Sequence, residues 1–309
     1  MKKIWNYLIQ HLREDFQIKR YGLVAILLSI AIYLNFKYDF EDSFLDAQEG
    51  FTKFIYYFFF FSAAYYTVVL ICTEGTKPSF WFDKTFWIKS VLALAALSLD
   101  SSLPFLRPMV NELVTKDLQL WVYKVCVNLI SLLTIFLPFL IYYFIWDKKE
   151  KHVYGLNSRQ FDARPYFIML GIMIPLMIAA SFHPSFIRQY PMYRGGHAAE
   201  ALDVSVWVTT GIYELVYGID FVTVEFFFRG FLVIGMMSLI GRKAVISMAA
   251  VYCLIHFGKP PGESISSIFG GYILGVIAYE TKSIWGGIIV HVGIAWAMEL
   301  IGFIQRNHH

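Results

Sequence analysis

The sequence predicts an all-α fold, a polytopic membrane helix bundle of about eight to ten segments, each approaching the roughly 20 apolar residues that a bilayer crossing needs. Three observations predict it. Of 309 residues, 58% are hydrophobic and only 16% charged, against roughly 25% charged in a water-soluble domain, so the charge that would solvate a surface is missing. Mean hydropathy is +0.55. Apolar runs of near-spanning length recur along the whole chain. The same composition excludes other classes. Gly 21 and Pro 10 leave no collagen-like or low-complexity character, and Cys72, Cys126 and Cys253 each sit inside an apolar run rather than in a disulfide framework. A net charge of +3 is too small to call for a nucleic-acid partner.

In chain order, the expected segments are Tyr21 to Phe36, Phe51 to Cys72, Phe86 to Leu106, Leu118 to Trp146 and Tyr166 to Phe182. After a polar stretch come Val204 to Tyr217, Phe221 to Ile240, Ala244 to His256, Ile265 to Ala278 and Ile284 to Ile304. Several are short, which tilted, broken or buried helices explain. The run Tyr56, Tyr57, Phe58, Phe59, Phe60 and Phe61 reads as lipid-facing and interfacial. No cleavable signal is expected, because the first apolar run follows the charged segment 1–20 and lacks a small-residue cleavage site.

Orientation follows from Lys and Arg bias in short loops. Lys2, Lys3, Arg13, Lys19 and Arg20 precede the first span, whereas Lys37 to Gly50 carries one Lys against Asp39, Glu41, Asp42, Asp46 and Glu49. This places the N-terminus in the cytoplasm and the chain in the cell (inner) membrane. The basic loop Asp147 to Arg164, with Lys148, Lys149, Lys151, Arg159 and Arg164, agrees if four spans precede it. The organisation read from these shifts is a cytoplasmic N-terminal segment (1–20), N-terminal membrane helices (21–183), a polar connecting loop (184–203) and a catalytic helix bundle (204–309).

Ionisable residues inside membrane spans are costly and face the bundle interior, so each is a functional candidate. In the first half, Asp100 reads as a helix-end cap and Lys124 as a snorkelling side chain. The second half holds Glu214, Asp220, Glu225, Arg229, His256, Glu280, His291 and Glu299, a density that packing alone does not explain. Glu225 and Arg229 stand four apart, on one helical face and within ion-pair reach. Glu214, eleven residues earlier, falls on that face if Gly218 does not interrupt the helix. His256 closes an apolar run ahead of Gly258, Pro260 and Pro261, and His291 lies in Gly286-Gly287-Ile288-Ile289-Val290-His291-Val292-Gly293, where glycines let another helix approach.

A carboxylate and an imidazole together can activate water, and a second imidazole can donate to a developing oxyanion, which suits peptide hydrolysis. Zinc held by two His and one Glu is the competing use of these residue types, without a His-Glu-x-x-His helix to support it. No cofactor is called for, with a divalent metal kept open. Cys253, three residues from His256, has no further feature of a nucleophile.

Taken together, these three segments resemble the CPBP family of intramembrane proteases, which includes the Ras-converting CAAX prenyl endopeptidases. The family pattern is Glu-Glu-x-x-x-Arg, then Phe-x-x-x-His, then His-x-x-x-Asn or Asp. Glu225 with Arg229-Gly230, His256 and His291 match in that order over roughly Gly211 to Ile304. The resemblance implies a helical bundle with an interior site opening toward the cytoplasm, general-base help from His256 and oxyanion binding by His291. There are departures. The first Glu falls on Val224, the Phe on Tyr252 and the Asn or Asp on Ala295, so the base either is Glu225, rotated by about 100° on an ideal helix, or is lost.

The expected function is a glutamic-type intramembrane endopeptidase acting on membrane-associated or lipidated peptides, with membrane lipid and a peptide or protein substrate as partners. The alternative is a catalytically inactive scaffold or peptide-binding pseudoprotease, which Val224 and Ala295 motivate. A transporter is disfavoured by the lack of two similar halves with discontinuous helices.

Overall fold

The computed structural model describes residues 1–75, 78–103, 105–148, 152–156 and 161–307, and among these there is no strand. Lys149, Lys151 and Arg159 of the expected basic loop lie outside the described residues. An N-terminal helix, α1 (Lys2–Asp15), is followed by the apolar helices α2 (Ile18–Tyr38), α3 (Gly50–Thr73), α4 (Lys84–Ser102), α5 (Gln119–Asp147), α6 (Arg164–Ser181), α7 (Val206–Ile240), α8 (Lys243–Leu254), α9 (Pro261–Thr281) and α10 (Trp285–Asn307). Seven helices among the described residues are long and apolar enough to cross a membrane; α8 is apolar but shorter. The chain is an all-α polytopic membrane protein.

Local chemistry sets these boundaries. The Asp83 carboxylate accepts from the Thr85 N–H at 2.8 Å and opens α4. Pro261 occupies the first turn of α9, where its missing N–H costs nothing. Ser205 caps α7 through the Trp207 N–H.

The structure corrects the sequence reading at α7. The expected segments Val204 to Tyr217 and Phe221 to Ile240 are one continuous helix. Gly218 does not break it, because its missing side chain is the space that Trp296 of α10 fills: a Cβ there would lie 2.7 Å from Cζ2. Beyond Glu225, the stretch Phe226–Gly235 winds as a π-helix, a wide turn frequent at functional sites. The most apolar window of α7 is 78% buried, against 17% in α2. Helix α7 is therefore the axis of the bundle, packed by α5 and α10 along its first half and by α8 and α9 along its π-helical part.

Three further readings change. Tyr57 and Phe61 of the aromatic run face the core, and only part of the run, led by Phe59, is exposed. Asp100 accepts a hydrogen bond from Thr134 of α5 and does not act as a cap. Lys89, absent from the candidate charges, is buried, bridging Asp147 at 2.6 Å and donating to the Gly235 carbonyl at 2.9 Å. It ties the end of the π-helix to α4 and α5.

The bundle has two polar ends. At the N-terminal end, α1 packs on α9, and Arg242 bonds Glu14, Glu280 and the buried His11. At the far end, Asn35 donates to the Phe257 carbonyl at 3.1 Å and accepts from the Glu41 N–H at 3.0 Å. Glu41 lies against Gly258, where a Cβ would come 2.6 Å from its Oε2. Burial, with Asp46 and Asp42 alongside, pushes the Glu41 carboxyl up from 4.5 to about 7. Because the folded state holds this proton more tightly than the unfolded chain, the stability Glu41 confers is complete below pH 4.5 and is lost as pH rises through about 7. Thermal unfolding in detergent across this window is expected to show a falling midpoint, and Glu41→Gln should remove that part of the slope.

Candidate active site

Glu225 and Arg229 come from the centre of α7 and both are 0% exposed. Arg229 Nη1 stands 2.9 Å from Glu225 Oε1. A charge of either sign alone at this depth would be prohibitive, and the pair is neutral.

Helix α10 crosses α7 here and delivers His291, whose Nδ1 is 2.8 Å from the same Glu225 Oε1. One turn earlier, Gly287 makes the approach possible: a Cβ on it would lie 2.0 Å from Glu225 Oε2. The glycines of this helix divide their labour, since Gly286 receives Tyr166 and Gly293 receives Leu170, both from α6. The carboxylate can only accept, so His291 Nδ1–H donates to it and Nε2 carries the lone pair. That lone pair meets the Tyr252 hydroxyl of α8 at 3.1 Å.

Tyr252 is the hub of the arrangement. The Arg229 guanidinium carbon lies 4.2 Å from its ring centroid, a cation–π contact. The His256 ring meets it edge-on with centroids 4.6 Å apart, and His256 Nδ1 donates to the Tyr252 carbonyl at 2.7 Å. That bond leaves Nε2 of His256 as an available base. The turn bearing His256 is held by the Asn35 bond to Phe257 and by Ser264, whose hydroxyl donates to the His256 carbonyl.

The structure therefore brings Glu225, Arg229 and His291 into direct contact and reaches His256 through Tyr252; among the described residues no hydrogen bond joins Glu225 to His256. Glu225 Oε2 and the Arg229 nitrogens Nε and Nη2 are buried without a hydrogen-bond partner. Buried polar atoms left in this state are places where a water or a substrate carbonyl is satisfied.

Other candidates fall elsewhere. Val224 is half-buried against the main apolar core, and Ala295 is buried in an aromatic cluster with Tyr193, Tyr213 and Tyr217. Glu214 and Glu299 interact with each other, and the Met192 N–H donates to Glu299 at 2.9 Å. Asp220 accepts from Ser131 at 2.6 Å. Tyr252 and Gly287 are the site residues the sequence reading missed. The signal for Tyr252 was its hydroxyl, an addition to the family's Phe. Among the described residues, the group whose ligand atoms lie within 4.8 Å of one another is Glu41, Asp42 and Asp46. Glu225, His256 and His291 do not form such a group among the described residues.

Gly287→Ala is expected to drive the carboxylate of Glu225 off His291. The cost should be about 1–3 kcal/mol, as for other overpacked core positions, read as a lower unfolding midpoint than for Gly262→Ala, which meets nothing within 4 Å.

Searches of curated proteins and of solved structures return no match. A family model described as Rce1-like, type II CAAX prenyl endopeptidase Rce1-like, matches residues 206–297. That segment runs from the start of α7 into α10 and contains Glu225, Arg229, Tyr252, His256 and His291, so this part of the chain is similar to the CAAX prenyl endopeptidases.

Proposed function

We propose that the chain is a glutamic-type intramembrane endopeptidase that hydrolyses peptide bonds of membrane-associated or lipidated substrates. The observation that carries this reading is the buried Glu225 carboxylate, fixed through Oε1 by Arg229 and His291 and with Oε2 left unpartnered. In this reading, Oε2 orients a water and His256 Nε2 takes its proton as the water attacks the scissile carbonyl. The same nitrogen then protonates the leaving amine. Arg229 balances the charge of the Glu225 carboxylate in apolar surroundings. His291 orients the carboxylate; the oxyanion role that the resemblance implies for it is revised, because neither of its nitrogens has a free N–H.

The N-terminal end, where Lys2, Lys3, Arg13, Lys19 and Arg20 concentrate, is placed at the cytoplasmic face of the cell membrane. The His256 turn, bonded to Asn35 near the C-terminal end of α2, then points toward the opposite face, against the cytoplasmic opening that the resemblance implies. In a Cys126→Ser background, Lys259→Cys on intact cells should react with a membrane-impermeant maleimide; labelling only after lysis would reverse this orientation.

Quantitative peptide-terminus mass spectrometry on membranes expressing the intact chain, Glu225→Gln or His256→Ala at matched abundance tests the activity. New termini should appear with the intact chain and fall by at least about 10²-fold in either variant, the scale of a lost acid–base group. Identical termini in all three would instead favour the pseudoprotease that Val224 and Ala295 suggest, and introducing Glu at 224 and Asn at 295 should then create cleavage.

A further inference from the structure

We infer that Tyr252 is a catalytic residue whose phenolic O–H donates to the oxyanion of the tetrahedral intermediate, replacing the donor that the third motif lacks at Ala295. This rests on the proteolytic reading above. Two departures from the family pattern, read separately, are a loss and a mild change: Asn or Asp becomes Ala295, and Phe becomes Tyr252. In the structure they compensate. Ala295 offers no polar atom and is packed among Tyr193, Tyr213 and Tyr217. The added hydroxyl of Tyr252 stands 3.1 Å from His291 Nε2, within the same polar cluster as Glu225 and Arg229.

The order of acceptors and donors gives the hydroxyl its direction. Glu225 Oε1 accepts from His291 Nδ1–H at 2.8 Å, so His291 Nε2 is an acceptor and Tyr252 is the donor. Carboxylate, imidazole and hydroxyl thus stand in line, the geometry by which a buried carboxylate fixes an imidazole tautomer for work on a hydroxyl. Of these three groups, Tyr252 alone carries a proton not committed to a carboxylate.

The step balances without a co-reactant. Water oxygen bonds to the carbonyl carbon, its proton passes to His256 Nε2, and the carbonyl π pair moves onto oxygen. The Tyr252 O–H turns from His291 Nε2 to that oxygen as its charge develops. On collapse, the pair returns, the C–N bond breaks and the leaving nitrogen takes the proton from His256. Tyr252 keeps its proton throughout, and nothing is oxidised or reduced. The Arg229 guanidinium over the ring makes the phenol a stronger hydrogen-bond donor.

The test is Tyr252→Phe, which removes one oxygen and retains the ring under Arg229 and beside His256. New termini made by the intact chain in membranes should appear about 10²-fold more slowly, the effect of deleting one oxyanion donor, and Ala295→Asn in the same chain should return part of the rate. Nitrogen-15 NMR of His291 separates a donor from a prop: Nδ1–H with an unprotonated Nε2 is expected in the intact chain, with Nδ1–H retained in Tyr252→Phe. An unchanged rate in Tyr252→Phe overturns the inference while leaving the protease reading intact. So does a protonated Nε2 in the intact chain, or loss of Nδ1–H in the variant. An intact chain that makes no new termini removes the protease reading and this step with it.

Discussion

One ion pair sets the terms for the rest of the molecule. Glu225 and Arg229 are fully buried in the middle of α7, the most buried of the seven long apolar helices among the described residues. Breaking a buried pair by removing one partner costs about 3–5 kcal/mol in water-soluble proteins, and the surroundings here offer no better solvent. Every element that touches the pair can be understood as completing its solvation: His291 donates to the carboxylate, Tyr252 presents its ring to the guanidinium, and Gly287 withholds a side chain so that the backbone of α10 can come close.

The π-helix belongs to the same constraint. Helix α7 is regular up to Glu225 and widens at Phe226, so the four-residue step from Glu225 to Arg229 is close to one turn of the wider winding and the two heads remain side by side. The aromatic residues between them serve the core. Phe226, Phe227 and Phe228 are buried and pack on Phe136, Phe139 and Tyr252. A segment that carries two charges inside its helix is thus held by three of the largest apolar side chains available, one turn of ring packing around one turn of polar chemistry.

Much of this was legible in the sequence, and what was not has physical reasons. The fold class follows from composition, since only a lipid environment tolerates so few charges over so long a chain. The spans of α2, α3 and α6 could be placed because each is one apolar run with polar borders. Helix α7 was divided because Gly218 is a helix breaker in isolation; a distant Trp296 cancels that tendency, and no local pattern announces it. Glu225, Arg229 and His291 stand out as charges where lipid should be. Tyr252 does not, because a Tyr in an apolar helix has an ordinary packing role unless its hydroxyl is known to meet a histidine 39 positions away. Lys89 does not stand out, because it lies near a span's start, where snorkelling is the simpler expectation, and its partners Asp147 and Gly235 are remote in sequence.

The region that resembles the protease family is not self-sufficient in this architecture. The Gly235 carbonyl closes the π-helix on an ammonium from α4, and the Phe257 carbonyl, one residue beyond His256, takes its bond from Asn35 of α2. Removing such donors leaves buried carbonyls unsatisfied at about 1–3 kcal/mol each. Both bonds act on the backbone that carries the site, one past Arg229 and one past His256, so their loss would appear as misplacement of the chemistry before it appeared as unfolding. The first half of the chain therefore contributes more than membrane anchorage. It holds the chain at Gly235, past Arg229, and at Phe257, past His256, so that Tyr252 and His256 are carried by a segment fixed at both ends.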